Sequence, residues 1–404
     1  MRTTRRQLLG KLQAAAVCGV IPQWAQAAAG AAGAKKRLLV VVFLRGGIDG
    51  LNLVVPHGEA EYPKLRPGLA LARPGRKDGV LDLDGFFGLH PQAAALVPHF
   101  KAKNAVAIHA VGHDKNTRSH FEEQDLWETS VLENEVATDG WLNRHLASVQ
   151  GEGPLRAVAL SNALPRLLRG PVPALAIRGL RDVTGRGKDT TGAMRRALES
   201  DAGRANELWI TQARATLDLL EELRAVEAHR IPTRIDYPDS YLAGRLKAVS
   251  RLTRAGIGLE VATIDLGGWD THQSQGGAGG TYGRKVKELS EGIDAFLRDF
   301  EGELDDIMVL TLSEFGRTAF ENGTGGTDHG WGNVVLSFGG GLQPSAPVLG
   351  DWPGLGPQQL HKRRELKITT DFRDVIGEVL ASHLGNPQAA RVLCRPGLRP
   401  VGFL

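Results

Sequence analysis

The chain is 404 residues long, 42% hydrophobic, 23% charged and 6% aromatic, with 51 glycines and 20 prolines. This balance excludes a disordered tail, a collagen-like fibre and a polytopic membrane protein, and the length allows a sizeable buried core. The net charge of +4 invites a nucleic-acid reading, but Arg2, Arg5, Arg6 and Lys11 carry the excess; 45 basic and 45 acidic residues follow position 27, so no nucleic-acid partner is expected.

Residues 1 to 27 combine a basic start, an apolar stretch from Leu12 to Ile21 and a small-residue run ending Ala25-Gln26-Ala27, the anatomy of a removable export signal. Arg5-Arg6, after Thr4 and before Gln7-Leu8-Leu9, marks the twin-arginine type. The twin-arginine translocase is then the partner during export, and the destination is the periplasm or the medium. The apolar stretch falls well short of the ~20 residues a spanning helix needs, so no stable membrane span is expected. Cys18 lies within the signal, leaving Cys394 alone in a processed chain and excluding an internal disulfide, a thiolate zinc site and a redox dithiol.

After the signal, residues 28–404 read as a single α/β domain. Leu38 to Leu44 is an apolar, valine-rich run that ends at Gly46-Gly47, the pattern of a buried parallel strand. A helix beginning near Pro91 leads to a second strand, Ala105 to His109. Residues 191–256 interrupt the rhythm with helical patterns over Ala205 to Ala228 and Tyr241 to Arg254, read as a helical insertion. Further strands are expected over Leu259 to Ile264, Ile307 to Leu312 and Val334 to Phe338, with helices over Tyr282 to Phe300 and Thr370 to Leu384. Gly179 to Asp189 and Ser274 to Gly283 read as loops. Alternating strands and helices predict a three-layer fold, a mostly parallel sheet with helices on both faces.

In such sheets ligands bind beyond the carboxyl ends of the strands. The segments there are rich in carboxylates and imidazoles: Arg45 to Asn52 with Asp49; His109, His113-Asp114 and Arg118-Ser119-His120; Asp265 to His272 with Asp270; Ser313-Glu314-Phe315-Gly316-Arg317; and Asp328-His329. Taken singly, each has a plain structural reading. Asp49 suits a turn, Ser119 with Glu122 suits a helix capping box, and His109, His113 and His120 suit hydrogen-bonded structural histidines. Together they crowd negative charge at one sheet edge, which a divalent cation would neutralise. Oxygen and imidazole donors without thiolate suit zinc, manganese, magnesium or calcium.

The segments Phe43 to Asn52, Arg118 to Phe121, Gly267 to His272, Ser313 to Thr318 and Gly326 to Gly330 resemble the bacterial family catalogued as domain of unknown function 1501, over about Arg37 to Leu384. That family is grouped with the alkaline phosphatase and sulfatase superfamily. The resemblance implies an alkaline-phosphatase-like sheet and an exported, metal-dependent hydrolase of phosphate or sulfate esters acting on a small-molecule or polysaccharide ester. The alternative is a non-catalytic binding or structural protein on that scaffold. Asp49, Ser119, and Asp270 with His272 match in order the superfamily's first metal-binding Asp, its nucleophile and its Asp-then-His motif. Asp328-His329 matches its Asp-His pair by letters. By position, Glu314 replaces that Asp, Phe315 replaces the His, and His329 takes the late-His role, which is the favoured alignment and leaves one or two ions.

The expected metal ligands are therefore Asp49, Asp270, His272, Glu314, Asp328 and His329. Ser119 is the expected nucleophile, with a helix N-terminus to hold an anionic group. Arg45, Arg118 and Arg317 are the expected clamps on anionic oxygens, since a guanidinium matches them bidentately. Gly46-Gly47-x-x-Gly50 lacks the spacing and lysine of a nucleotide loop.

Overall fold

The computed structural model describes residues 37–132, 137–151, 153–180, 207–228 and 231–404. The expected export signal, residues 191–206 of the expected insertion and residues 181–189 of the first expected loop lie outside the described residues.

The apolar runs become strands of a nine-stranded sheet: β1 (Leu38–Leu44), β2 (Ala105–Gly112), β3 (Ala157–Ala159), β4 (Leu175–Ala176), β5 (Val261–Leu266), β6 (Ile307–Leu312), β7 (Asn333–Gly339), β8 (Val348–Leu349) and β9 (Thr370–Asp371). Across the sheet the order is β8-β2-β7-β6-β1-β5-β3-β4, with β9 also on β2. Central β1 pairs in parallel with β5, Leu39 opposite Val261, and with β6, Leu38 opposite Ile307. Strand β7 runs antiparallel to both its neighbours, β2 and β6. The sheet is thus mostly parallel, as the sequence predicts, with one strand reversed.

The helices that bear on the site are α1 (His120–Thr129), α2 (Trp141–Ser148), α3 (Glu207–Ala228), α4 (Tyr241–Arg254), α5 (Gly280–Asp299) and α6 (Phe372–Glu378). Alternate residues of β1 point to opposite faces and sort into two cores. Leu38, Val40, Val42 and Leu44 pack with Leu242 and Leu246 of α4 and Val286, Ile293 and Phe296 of α5. Leu39, Val41 and Phe43 pack with Trp127 of α1, Trp141 of α2, and Phe372 and Ile376 of α6. Each such buried side chain contributes roughly 1.5–3 kcal/mol, so the two cores hold a chain whose described cysteine, Cys394, is free and exposed.

Thr370 to Leu384 does not form one helix. Thr370 and Asp371 join the sheet, the Asp371 carboxylate caps α6 by accepting the Arg373 backbone N–H at 2.9 Å, and Val379–His383 closes as a π turn. Among the described residues no helix is long and apolar enough to cross a membrane.

Strand direction places the site. β1, β5 and β6 are parallel neighbours, so Arg45 to Asp49, Leu266 to His272 and Ser313 to Arg317 leave at one edge. Because β7 is reversed, the loop that enters it, carrying Asp328 and His329, lies at that same edge.

Candidate metal centre

The loops at this edge approach closely because two glycines permit it. Gly46 has φ of +120°, and a Cβ there would stand 2.5 Å from the Asp270 backbone nitrogen; Gly47, at φ +67°, would meet the Phe315 ring at 2.5 Å. The buried Arg317 then ties the loops together. It donates to the carbonyls of Gly46, of Gly47 at 2.6 Å, of Trp269 at 3.1 Å and of Thr327 at 2.9 Å, and to Asp270 Oδ1 at 2.6 Å. In place of the expected substrate clamp, Arg317 is a buried strut with its donors spent on the protein.

Three imidazoles face Asp270, and each is held by its far nitrogen. His329 Nδ1 lies 2.8 Å from the Arg118 carbonyl, His272 Nδ1 lies 3.2 Å from Asp328 Oδ1, and His120 Nδ1 lies 2.8 Å from Glu314 Oε1. Carbonyls and carboxylates only accept, so a neutral ring that donates from Nδ1 would leave its Nε2 free to bind a cation. The Nε2 atoms gather around Asp270. His272 Nε2 is 3.0 Å from His329 Nε2 and 3.0 Å from Asp270 Oδ1, which is 3.4 Å from His329 Nε2. His120 Nε2 stands 3.5 Å from Asp270 Oδ2, buried and without a hydrogen-bond partner.

Two Nε2 atoms 3.0 Å apart and a buried Nε2 without a partner are costly unless something stands between them, and a cation among these groups would satisfy both. The residues present fit one. His120, Asp270 and His329 offer ligand atoms all within 4.8 Å of one another, and His272 touches two of them from the solvent side. Separations of this size suit the edge of a tetrahedron, ~3.3 Å when bonds to the ion are ~2.0–2.1 Å. Carboxylates or carbonyls behind each imidazole are the usual support of a metal-bound histidine.

The electrostatics follow from these partners. The hydrogen bond to Glu314 raises His120 above the ordinary imidazole value against the opposing effect of burial. Burial lowers His329. For Asp270 burial acts upward, but the hydrogen bond and charge of Arg317 outweigh it and hold the carboxyl below its usual range. Glu314 is likewise held low, its burial outweighed by hydrogen bonds from His120, Gln124 and the Gly46 N–H. Asp328 is lowered first by Asn322 and then by His272.

Of the expected ligands, Asp270, His272 and His329 come together. Glu314 and Asp328 stand one step back, each orienting a histidine. Asp49 does not join them: fully buried, it receives Arg66 Nη1 on both oxygens, at 2.9 and 2.7 Å, and Gln275 Nε2 at 2.6 Å. Its expected metal role is replaced by a sealed ion pair with Arg66.

Ser119 precedes α1, but its hydroxyl makes no capping hydrogen bond. The capping box with Glu122 is absent because Glu123 turns inward instead, accepting the Thr117 backbone N–H at 2.6 Å and meeting His113 Nε2 at 2.6 Å. Arg118 adopts a left-handed backbone, φ +62°, that delivers its carbonyl to His329, and one nitrogen of its partly exposed guanidinium pairs with Glu365 at 2.7 Å. Arg45 is committed to Glu128 and Asp265, at 2.6 and 2.8 Å, which corrects its expected role as a free clamp. Phe315 packs against the rings of His120 and His329, at 4.9 and 4.7 Å, as an apolar wall.

The candidate ligand that the sequence reads as a structural histidine is His120. The signal that points to it is its place beside Ser119, at the end of a long excursion from a parallel strand.

The chain belongs to the family described as "Protein of unknown function (DUF1501)", whose model matches residues 35–394. No curated protein matches it. Among solved structures it is similar to the C-terminal periplasmic domain of EcEptC from Escherichia coli, at 9% identity and TM-score 0.41, covering 91% of this chain and 88% of that one. It is also similar to the integral membrane protein lipooligosaccharide phosphoethanolamine transferase A from Neisseria meningitidis, at 11% identity and TM-score 0.40, covering 98% and 66% of the two chains. A third likeness is the phosphonate monoester hydrolase of Agrobacterium radiobacter, at 11% identity and TM-score 0.33, covering 86% and 74%. With TM-scores under 0.5 these likenesses are remote.

Proposed function

We propose that the chain is a metal-dependent hydrolase of phosphate or sulfate esters, exported by the twin-arginine route that Arg5-Arg6 suggests, to the periplasm or beyond. The observation that carries this reading is the cluster of His120, Asp270 and His329, with ligand atoms within 4.8 Å of one another and with His272 Nε2 3.0 Å from both Asp270 and His329, each imidazole held from behind. His120, Asp270, His272 and His329 would hold the ion, and three imidazoles with one carboxylate favour zinc or a similar transition metal over magnesium or calcium. When bound, such an ion polarises the ester and eases charge build-up on its oxygens.

The chain's own groups supply the rest. Ser119, between the residue whose carbonyl holds His329 and the ligand His120, carries the attacking hydroxyl. Its Oγ bonds to phosphorus or sulfur as the bond to the ester oxygen breaks, and the alcohol leaves with the proton. Water then splits the serine ester and restores the hydroxyl. The first N–H groups of the ten-residue helix α1 face the anionic oxygens. The donors of Arg118 not taken by Glu365 bind those oxygens, and Phe315 keeps water from the imidazoles behind it.

Hydrolysis of aryl phosphates and aryl sulfates by protein purified without chelator tests this. Ser119→Ala and Asp270→Ala are each expected to lower the rate at least a hundredfold, roughly 3 kcal/mol or more of barrier. Full activity in both variants would remove the assignment. A second reading, a non-catalytic binding protein, is favoured by one observation: Asp49 and Glu314 are both engaged within the protein. Metal-loaded protein that cleaves neither ester class would select it.

A further inference from the structure

A cleft of about 570 Å³ opens beside the metal centre, and its lining is shared with that centre: Gln124 borders the cleft and donates to Glu314 Oε1 at 2.8 Å, behind His120. Phe121, the residue after His120, stands at its rim 91% exposed, and Tyr241, the first residue of α4, is 44% exposed on the same cleft. The Arg245 guanidinium lies 4.0 Å over the Tyr241 ring and fixes one of its faces. Two aromatic side chains thus border a cleft whose lining mixes charged and polar groups with Ala163, Leu164 and Pro165.

The charges in the wall decide what can lie there. Three arginines meet three carboxylates, and most are already matched: Arg45 with Glu128 and Asp265, Arg166 with Asp125 at 2.9 Å. Arg169 is exposed, with its Nε on the Leu164 carbonyl at 3.1 Å, and among the described residues it has no carboxylate partner. A compensated wall gives no field to gather a polyanion or an anionic lipid surface. It does offer alternating donors and acceptors, which is what rows of hydroxyls need, while the aromatic rims suit the C–H faces of sugar rings.

We infer that this cleft is a carbohydrate subsite, holding uncharged sugar rings between Phe121 and Tyr241 while the ester group they carry reaches the metal centre. The inference deepens the ester-hydrolase reading and rests on it for the identity of the reacting group. Helix α4 thereby contributes a wall of substrate recognition through Tyr241.

Calorimetric titration of the full chain with soluble hexasaccharides of glucose, galactose and N-acetylglucosamine tests it, with metal content and aryl-ester hydrolysis measured on the same samples. At least one hexasaccharide is expected to bind with a Kd of about 10 mM or tighter, and Phe121→Ala and Arg169→Ala are each expected to weaken it about tenfold with metal content unchanged. Absence of binding for all three sugars overturns the inference, as does binding indifferent to both variants. Capture by phosphatidylglycerol vesicles that Phe121→Ala abolishes would also overturn it, in favour of a lipid. Ester hydrolysis without sugar binding removes the subsite alone; sugar binding without any hydrolysis supports the subsite and removes the hydrolase reading alone.

Discussion

Asp49 and Asp270 each follow a central strand inside a glycine-bearing turn, yet their surroundings differ in one respect, saturation. Around Asp49 every strong group has a protein partner: Arg66 meets the carboxylate, Asn52 and the carbonyls of Thr318 and Ala319, while Gln275 takes the remaining carboxylate contact. Around Asp270, Arg317 donates to the carboxylate at 2.6 Å, but the Nε2 atoms of His272 and His329 stand 3.0 Å apart and His120 Nε2 has no hydrogen-bond partner. The first is a closed structural network. The second leaves polar atoms unmatched, room that a cation would fill. Letters alone do not separate the two, because each is an Asp shortly after a Gly-Gly pair that ends a strand.

The sharpest way to break the comparison is to unpair the closed network. Arg66→Met strands a buried carboxylate and is expected to destabilise the fold by about 3–5 kcal/mol in urea unfolding. Asp49→Asn combined with Arg66→Met removes both charges and is expected to recover part of that loss. Metal content per folded chain should stay that of the wild type in both, and its selective loss in the double variant would make Asp49 a ligand after all.

A smaller effect is expected from the groups behind the imidazoles. Glu314→Gln and Asp328→Asn should leave the fold intact and weaken metal affinity about 10–100-fold, read by competition with a chromogenic chelator. Complete loss in Asp328→Asn would instead mean that Asp328 binds the ion directly.

The third effect is one of pH. Burial pushes His90, His109, His145 and His383 down to about 4. As pH falls below the ordinary imidazole value of ~6.5, the unfolded chain takes up protons that the folded chain does not, so stability drops, by up to ~2 kcal/mol per histidine at pH 5. His120, raised, acts in the opposite sense, adding stability that is present below ~6.5 and lost as pH rises through its folded value. With His329 and His361 also lowered, and His120 alone raised among the described histidines, the balance is a net fall between about pH 6.5 and 5, above the range where the lowered carboxylates of Asp270, Glu314 and Asp328 begin to count. A flat urea midpoint across that window would contradict the burial of these histidines.

Much of the fold is legible in the sequence. The runs Leu38–Leu44 and Ile307–Leu312 are strands over those residues because uninterrupted apolar residues fit a doubly covered sheet. The reversal of β7 is not legible, since a fully buried strand reads the same in either direction. Three candidate ligands, Asp270, His272 and His329, stand out as pairs beyond strand ends. His120 is hidden behind Ser119, whose spacing to Glu122 suggests a cap that Glu123 displaces. Arg317 and Arg45 read as free guanidinium groups, and only the folded chain reveals the carbonyls and carboxylates that occupy them.

The most direct test of a single histidine-rich metal centre is elemental analysis by mass spectrometry of the mature chain, purified without chelator or affinity histidines, beside its His120→Ala variant. One divalent transition-metal ion per wild-type chain, lost or much depleted in a well-folded His120→Ala, is the expected result. A wild type that binds no ion, or a His120→Ala variant that keeps the full complement, would contradict it.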